Sequence, residues 1–217
     1  MLKIVVGNSE KNKKLLRKCY RFRHKIFVDE RRWESLRKKD GLETDLFDTD
    51  DAIHIAYLDS DDVVAYSRLL PTSKPHLLSD VYPHLVNGKI NYRKNDIYEW
   101  TRCCVERRYR EYKKRTSTPY HYIICTIIKI CLEKGIASLV VEFHPAHISS
   151  LIETGWHVEP LTLPTTIDDE AVVAVKASPT EHTYETTMKV FGMEKVDFER
   201  QFESRNIGDL ARIEIAA

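Results

Sequence analysis

In the segment RFRHKIFVDERRW, Arg23 and Phe27 stand four residues apart, a spacing that puts both on one helix face, and Trp33 lies just beyond. A guanidinium can clamp a carboxylate with two parallel N–H bonds, and paired aromatic rings can stack a base or sit against a cation. An amphipathic helix with an ordinary aromatic contact accounts for the same three residues. A second set follows at Glu43, Asp45, Asp48, Asp50 and Asp51. Leu46 and Phe47 stand where a calcium loop would need oxygen ligands and a glycine, so these acids suit a cationic small molecule better than a hard metal, unless they form a plain solvated loop. Arg68 interrupts the apolar run 63–70. A charge in a buried strand must either snorkel to an edge or meet a carboxylate. Finally, Glu99 and Arg102 flank Trp100 and Thr101, directly before Cys103 and Cys104. Strict alternation sends Glu99 and Arg102 to opposite faces of a strand, whereas a β-bulge between them would aim both into one opening.

The rest of the chain must position these groups. Ser9 precedes a helical period from about 10 to 28, carried by Leu15, Cys19, Phe22 and Ile26. Runs 53–58 and 63–70, joined by Asp59-Ser60-Asp61-Asp62, read as a hairpin. Strands are expected at 97–105, 137–143, 156–163 and 172–177. Helices are expected at 120–134, entered through Pro119 and stopped by Gly135, and at 145–153 and 181–191. A leading helix, an antiparallel meander and then interleaved helices and strands predict an α/β fold, a three-layer α/β/α sandwich. Length and composition predict one domain over 1–217, its polar tail from about 193 peripheral. Charge sums to +1, from 34 Lys and Arg against 33 Asp and Glu, which argues against binding a polyanion by bulk charge. The sum hides a separation: residues 11–39 carry thirteen Lys and Arg, while 41–62 carry none and hold eight Asp and Glu. Five cysteines without a CxxC pair, no secretory signal and no apolar run long enough to span a bilayer predict a cytoplasmic protein with free thiols. The nine histidines show no metal-ligand spacing, so no metal is expected.

The order Arg23, Phe27, Trp33, Asp45, Asp48, Arg68, Glu99, Arg102 resembles the signature of acyl-homoserine lactone synthases, the autoinducer synthases of bacterial quorum sensing. The surrounding segments RFRHKIFVDERRW, YSRLLPT and EWTRCCV resemble that family too, and the likeness covers about residues 1–165. It implies a fold akin to the GCN5-related N-acetyltransferases, with a V-shaped opening between central strands. The reaction it implies is N-acylation of S-adenosylmethionine by an acyl thioester, then lactonisation with release of methylthioadenosine; S-adenosylmethionine is then a substrate, and no cofactor is needed. An α-amino group of pKa roughly 8 is mostly ammonium near neutrality and cannot attack a thioester, so a base is required. On this resemblance Glu99 is the expected general base, direct or through a water, and Asp45 and Asp48 are expected to hold the cationic end of the substrate. Arg23 would meet the methionyl carboxylate, Phe27 and Trp33 would enclose the adenosyl part, and Arg68 and Arg102 would fix the carboxylates. Backbone N–H groups near the bulge would serve the oxyanion.

The stretch 106–115, rich in Arg and Lys, lacks the glycines of an ordinary acetyl-coenzyme A loop. It is either solvated or a dock for acyl carrier protein or coenzyme A phosphates. Segment 143–156 holds no Lys or Arg, and TSKPHLLSDVYPHL with Trp100 resembles the subgroup that uses acyl-coenzyme A. Trp100, Cys103, Phe143 and Trp156 could line a pocket for a short, branched or aromatic acyl group, or be plain core. Two other readings stay open: an N-acyltransferase acting on another amine, and a non-catalytic acyl-coenzyme A-binding module.

Overall fold

The computed structural model describes residues 1–86, 92–110, 119–167 and 169–210, with side chains up to 202. Positions 111–115 of the basic stretch therefore lie outside the described residues.

Eight strands form one sheet in the order β1-β2-β3-β4-β5-β8-β6, with β7 on β8. They are β1 (Leu2–Val6), β2 (Ile53–Asp59), β3 (Asp62–Pro71), β4 (Ile97–Val105), β5 (Ser138–Phe143), β6 (His157–Pro160), β7 (Thr165–Ile167) and β8 (Glu170–Ser178). Every pairing is antiparallel except that of β4 with β5. The expected hairpin is present, with Asp59 opposite Asp62. Ser60 takes the positive φ that such a two-residue turn demands.

Helix α1 (Lys13–Arg23) follows a short 3-10 turn and does not continue regularly to residue 28 as its period predicts. It widens into a π-helical segment, His24–Glu30. That widening rotates Phe27 inward and brings the chain round to Trp33, whose N–H donates 3.0 Å to the Phe27 carbonyl. Helix α2 (Leu77–Asp80) is a single turn. Helix α3 (Pro119–Lys134) is apolar nearly all round and covers one sheet face, burying Ile123, Ile124, Ile127, Ile128 and Cys131. Helices α4 (His147–Glu153) and α5 (Glu181–Phe191) complete that side.

The tail corrects the sequence reading. Helix α6 (Lys195–Leu210) is not peripheral: Phe198 and Phe202, four residues apart, pack into the same core as α3 and β1 and are 0% and 2% exposed. Two large rings on one helix face outweigh the polar composition of the segment around them. No helix among the described residues is long and apolar enough to cross a membrane.

Candidate active site

Opposite α3, the other sheet face carries charge. Arg68 of β3 and Arg23 of α1 are both fully buried, and each meets carboxylates from the loop 40–51. Arg68 grips Asp45 with both terminal nitrogens, at 2.6 and 2.8 Å, and donates to Asp48 at 2.7 Å and to Thr101 Oγ1 at 3.1 Å. Arg23 Nη1 donates to the same Asp48 oxygen at 2.7 Å, while its Nε binds Glu43. Arg102 closes the set, donating to both Glu43 oxygens at 3.1 and 3.3 Å and to Asp45 at 3.1 Å. Three guanidinium groups thus face three carboxylates with the charge balanced, the arrangement that makes burial of six ions tolerable.

Two local devices assemble the network. The loop is held at its far end by the residues just after β1: Gly7 N donates to Ala52 O at 2.9 Å, and Asn8 N to Asp50 at 3.1 Å. Gly7 has φ +71°, and a Cβ there would stand 2.6 Å from the Asp50 carbonyl oxygen, so glycine is required. In β4 the ladder to β3 slips between Tyr66 and Arg68, leaving Arg102 and Cys103 opposite Ser67. Arg102 takes φ +55° at this bulge, a conformation that costs an L-residue roughly 1–2 kcal/mol. The bulge turns its side chain onto the face of Glu99 and Arg68, where its bonds to Glu43 and Asp45 offset that strain.

The charges respond to this setting. Burial alone would raise Glu43, but Arg23 and Arg102 outweigh it and hold its carboxyl at about 2. Asp48 is likewise held well below the carboxylate range by Arg23 and Arg68 against its burial. His54, buried in β2 and bonded through Nδ1 to the Tyr66 hydroxyl at 2.7 Å, is pushed down to about 3 by burial and stays neutral behind the network.

Glu99 lives differently. It is fully buried and makes no ion pair among the described residues; it accepts the N–H groups of Leu77 and Leu78, at 3.0 and 2.6 Å, from the first turn of α2. Burial raises its carboxyl to about 7 although those two N–H groups, then Arg68 and Arg102, pull the other way. A carboxyl poised there can accept a proton at neutral pH. Its position is equally telling. The parallel ladder of β4 and β5 runs only from Ile97/Ser138 to Glu99/Val140, yet both strands continue, to Val105 and Phe143. The sheet forks at Glu99.

The structure brings the expected residues together in two groups. Glu99, Asp45, Asp48, Arg23, Arg68 and Arg102 share one face. Phe27 and Trp33 stack at 5.2 Å beside them, with the Arg102 guanidinium 5.6 Å over Phe27 and Arg31 over both rings. The network meets solvent mainly through Asp45, whose side chain is 16% exposed. Trp100, Trp156, Cys103 and Phe143 gather on the opposite face with the α3 core; the two indoles stack at 5.9 Å, and Trp100 Nε1 donates to Ser67 at 2.8 Å. Burial pushes the Cys103 thiol up to about 12, which leaves it inert. One expectation is modified: Asp45 and Asp48 already hold arginines, so they are not free acceptors waiting for a cation. Sequence reasoning passed over Glu43 as one more acid in the loop. Its signal was the neighbouring Leu42, also buried, which marks that end of the loop as inward-facing.

The sheet forks after its one parallel pair, with Glu99 buried at the fork, and this is the fold of the GCN5-related acyltransferases. ElaA of Escherichia coli shares that fold, with a TM-score of 0.55 and 17% identity over 81% of this chain and 97% of its own. The family model described as autoinducer synthase matches residues 7–186. The isovaleryl-homoserine lactone synthase of Bradyrhizobium diazoefficiens is 31% identical over 84% of this chain and 81% of its own length. BjaI, a coenzyme A-dependent acyl-homoserine lactone synthase solved with S-adenosylmethionine and isopentyl-coenzyme A, matches with a TM-score of 0.81 and 29% identity over 90% of this chain and 91% of its own. MesI, another coenzyme A-dependent synthase, gives 0.79 and 27% over 89% of this chain and 96% of its own. The chain belongs to the autoinducer synthase family.

Proposed function

We propose that this autoinducer synthase acylates the amine of S-adenosylmethionine with a short, branched or aromatic acyl group carried on coenzyme A. It then closes the methionyl part to an acyl-homoserine lactone and releases methylthioadenosine. The observation that carries the reading is Glu99 at the fork, poised as a base on the same face as a charge-balanced arginine–carboxylate network.

Each half of the substrate finds a counterpart. The adenosyl ring would lie against the Phe27–Trp33 stack. Arg102 and Asp45, the members of the network nearest solvent, offer one charge of each sign to a substrate that carries a carboxylate, an ammonium and a sulfonium. Because the network is neutral by itself, a zwitterionic group can exchange partners with it without leaving a charge unpaired. Arg23, sealed from solvent, would act by holding Glu43 and Asp48 in place; its Nη2 has no hydrogen-bond partner among the described residues and could receive the methionyl carboxylate if the loop opens. Glu99 takes a proton from the ammonium, the amine attacks the thioester carbonyl carbon, and the thiol departs. The methionyl carboxylate then displaces methylthioadenosine from its own γ-carbon, a step that positioning alone favours.

The acyl chain would pass through the fork to the Trp100–Trp156 side. The two bulky indoles stacked there at 5.9 Å support a compact acyl group, and the relatives that use coenzyme A support that carrier. Incubating the protein with S-adenosylmethionine and a panel of acyl-coenzyme A and acyl carrier protein thioesters, with mass spectrometry for methylthioadenosine and the lactone amide, tests this. Turnover is expected with short branched or aryl acyl-coenzyme A. Amide formation without methylthioadenosine would favour acylation of another amine instead.

A further inference from the structure

One half-buried acid plays no part in the steps above. Glu142 lies one residue from the end of β5. Val140 sits opposite Glu99 in the β4–β5 ladder, so Glu142, two residues on, shares the Glu99 face. The ladder has ended by then, which places Glu142 on the β5 wall of the fork, across from the Thr101–Arg102 stretch of β4. The residue is half-buried, but its Oε1 is out of solvent and has no hydrogen-bond partner among the described residues. The bonds of the site arginines go instead to Glu43, Asp45, Asp48 and Thr101.

A carboxyl so placed keeps its proton. Burial, and then the negative charge of Glu99, push its proton affinity well above the ordinary carboxylate range. The groups around the pair are few. Glu99 faces the N–H groups of α2 and the cations Arg68 and Arg102. Tyr92, from the segment before β4, feels both acids together with Arg93 and Asp80. Its ring meets His76, at the N-terminus of α2, edge-on. Two acids at one fork, one ready to accept a proton and the other ready to give one, are the parts of an acid–base pair.

We propose that Glu142 protonates the departing thiolate in the acyl transfer, so that Glu99 serves the nucleophile and Glu142 the leaving group. This rests on the lactone synthase reading. The ammonium gives its first proton to Glu99, and the nitrogen lone pair forms the bond to the thioester carbon. When the C–S bond breaks, its electron pair goes to sulfur, which takes the proton of Glu142 and leaves as a neutral thiol. The second nitrogen proton restores Glu142, and the proton on Glu99 passes to solvent with the products.

The test varies the leaving group. Wild type, Glu142→Gln and Glu142→Asp are assayed for methylthioadenosine release with an acyl-coenzyme A and with the thiophenyl ester of the same acid, whose thiol is far more acidic and needs no proton to leave. With the coenzyme A thioester, Glu142→Gln should lose about 100-fold in kcat. With the aryl thioester it should stay within about 5-fold of wild type, since the omitted proton transfer is no longer required. Its kcat should also lose the alkaline limb expected of wild type, the KM for S-adenosylmethionine should hold, and Glu142→Asp should recover part of the rate. Equal losses with both thioesters, or none with either, overturn the role. Should the glutamine variant fail to fold, wild type alone decides: its kcat should vary little with thiol acidity, and a steep rise would overturn the proposal. Absence of methylthioadenosine from wild type with every donor is a different failure, that of the synthase reading itself.

Discussion

The two walls of the fork treat buried acids in opposite ways. On the wall of β3, the bulged end of β4 and the loop 40–51, each of Glu43, Asp45 and Asp48 is matched by an arginine, and Glu43 and Asp48 are held ionised. At the fork and along β5, the buried Glu99 and the half-buried Glu142 have no salt bridge among the described residues, and both bind protons more tightly than a free carboxyl. The protein thus spends its cations on one set of acids and withholds them from the other. On the function proposed, the matched charges receive the zwitterionic part of the substrate, while the unmatched acids move protons near neutral pH.

Removing a cation from the matched wall should produce the largest effect. Arg68→Met keeps much of the volume and strands Asp45 and Asp48 in a buried site with one arginine fewer. Breaking a buried ion pair by deleting one partner costs about 3–5 kcal/mol, so urea denaturation at pH 7 should show a loss of that order. A loss under 1 kcal/mol would mean that the loop rearranges to let water in, and that the matched wall is soft.

The unmatched acids should show the opposite sign with pH. Glu43 and Asp48 have folded-state values below the unfolded ones, so their contribution is present above about pH 4.5 and disappears as pH falls toward 2. Glu99 is raised from 4.5 to about 7, so its contribution is present below pH 4.5 and is lost as pH climbs through 7. Glu99→Gln removes that second dependence. Its stability relative to wild type should improve by about 1–3 kcal/mol between pH 5 and 8, while turnover falls by a factor on the order of 100 or more. A difference that stays flat across that range would place Glu99 among the matched acids and undo the contrast.

How much of this contrast the sequence disclosed follows from what each feature depends on. Strand β4, helix α3 and the hairpin after Asp59 were legible because apolar period and turn chemistry are local. Arg68 was legible as a problem, since a charge in an apolar strand must find a partner, though not which carboxylates would answer. The bulge at Arg102 was legible only as a requirement: no glycine marks it, because ion pairs to loop residues 57 and 59 positions earlier make up its strain. Glu142 carried the same signal as Arg68, a charge inside an apolar strand, yet went unremarked. Its importance depends on the neighbour that β5 pairs with, which a single sequence does not display. In the tail the polar composition points outward, while the four-residue spacing of Phe198 and Phe202 carries the packing.

The smallest effect tests whether the walls are separable at all. Gly7 touches neither set of acids, but its backbone holds the end of the loop that supplies Glu43, Asp45 and Asp48. Gly7→Ala must place a methyl group against the Asp50 carbonyl in a left-handed conformation, at about 1–2 kcal/mol. The loop should yield before the sheet does, since a few hydrogen bonds hold it and the sheet carries the core. The expected outcome is a raised KM for S-adenosylmethionine with the acid limb of the kcat profile, set by Glu99, unmoved. If that limb shifts with the loop, the pull of Arg68 and Arg102 on Glu99 depends on the loop carboxylates they hold, and the two walls act as one electrostatic unit.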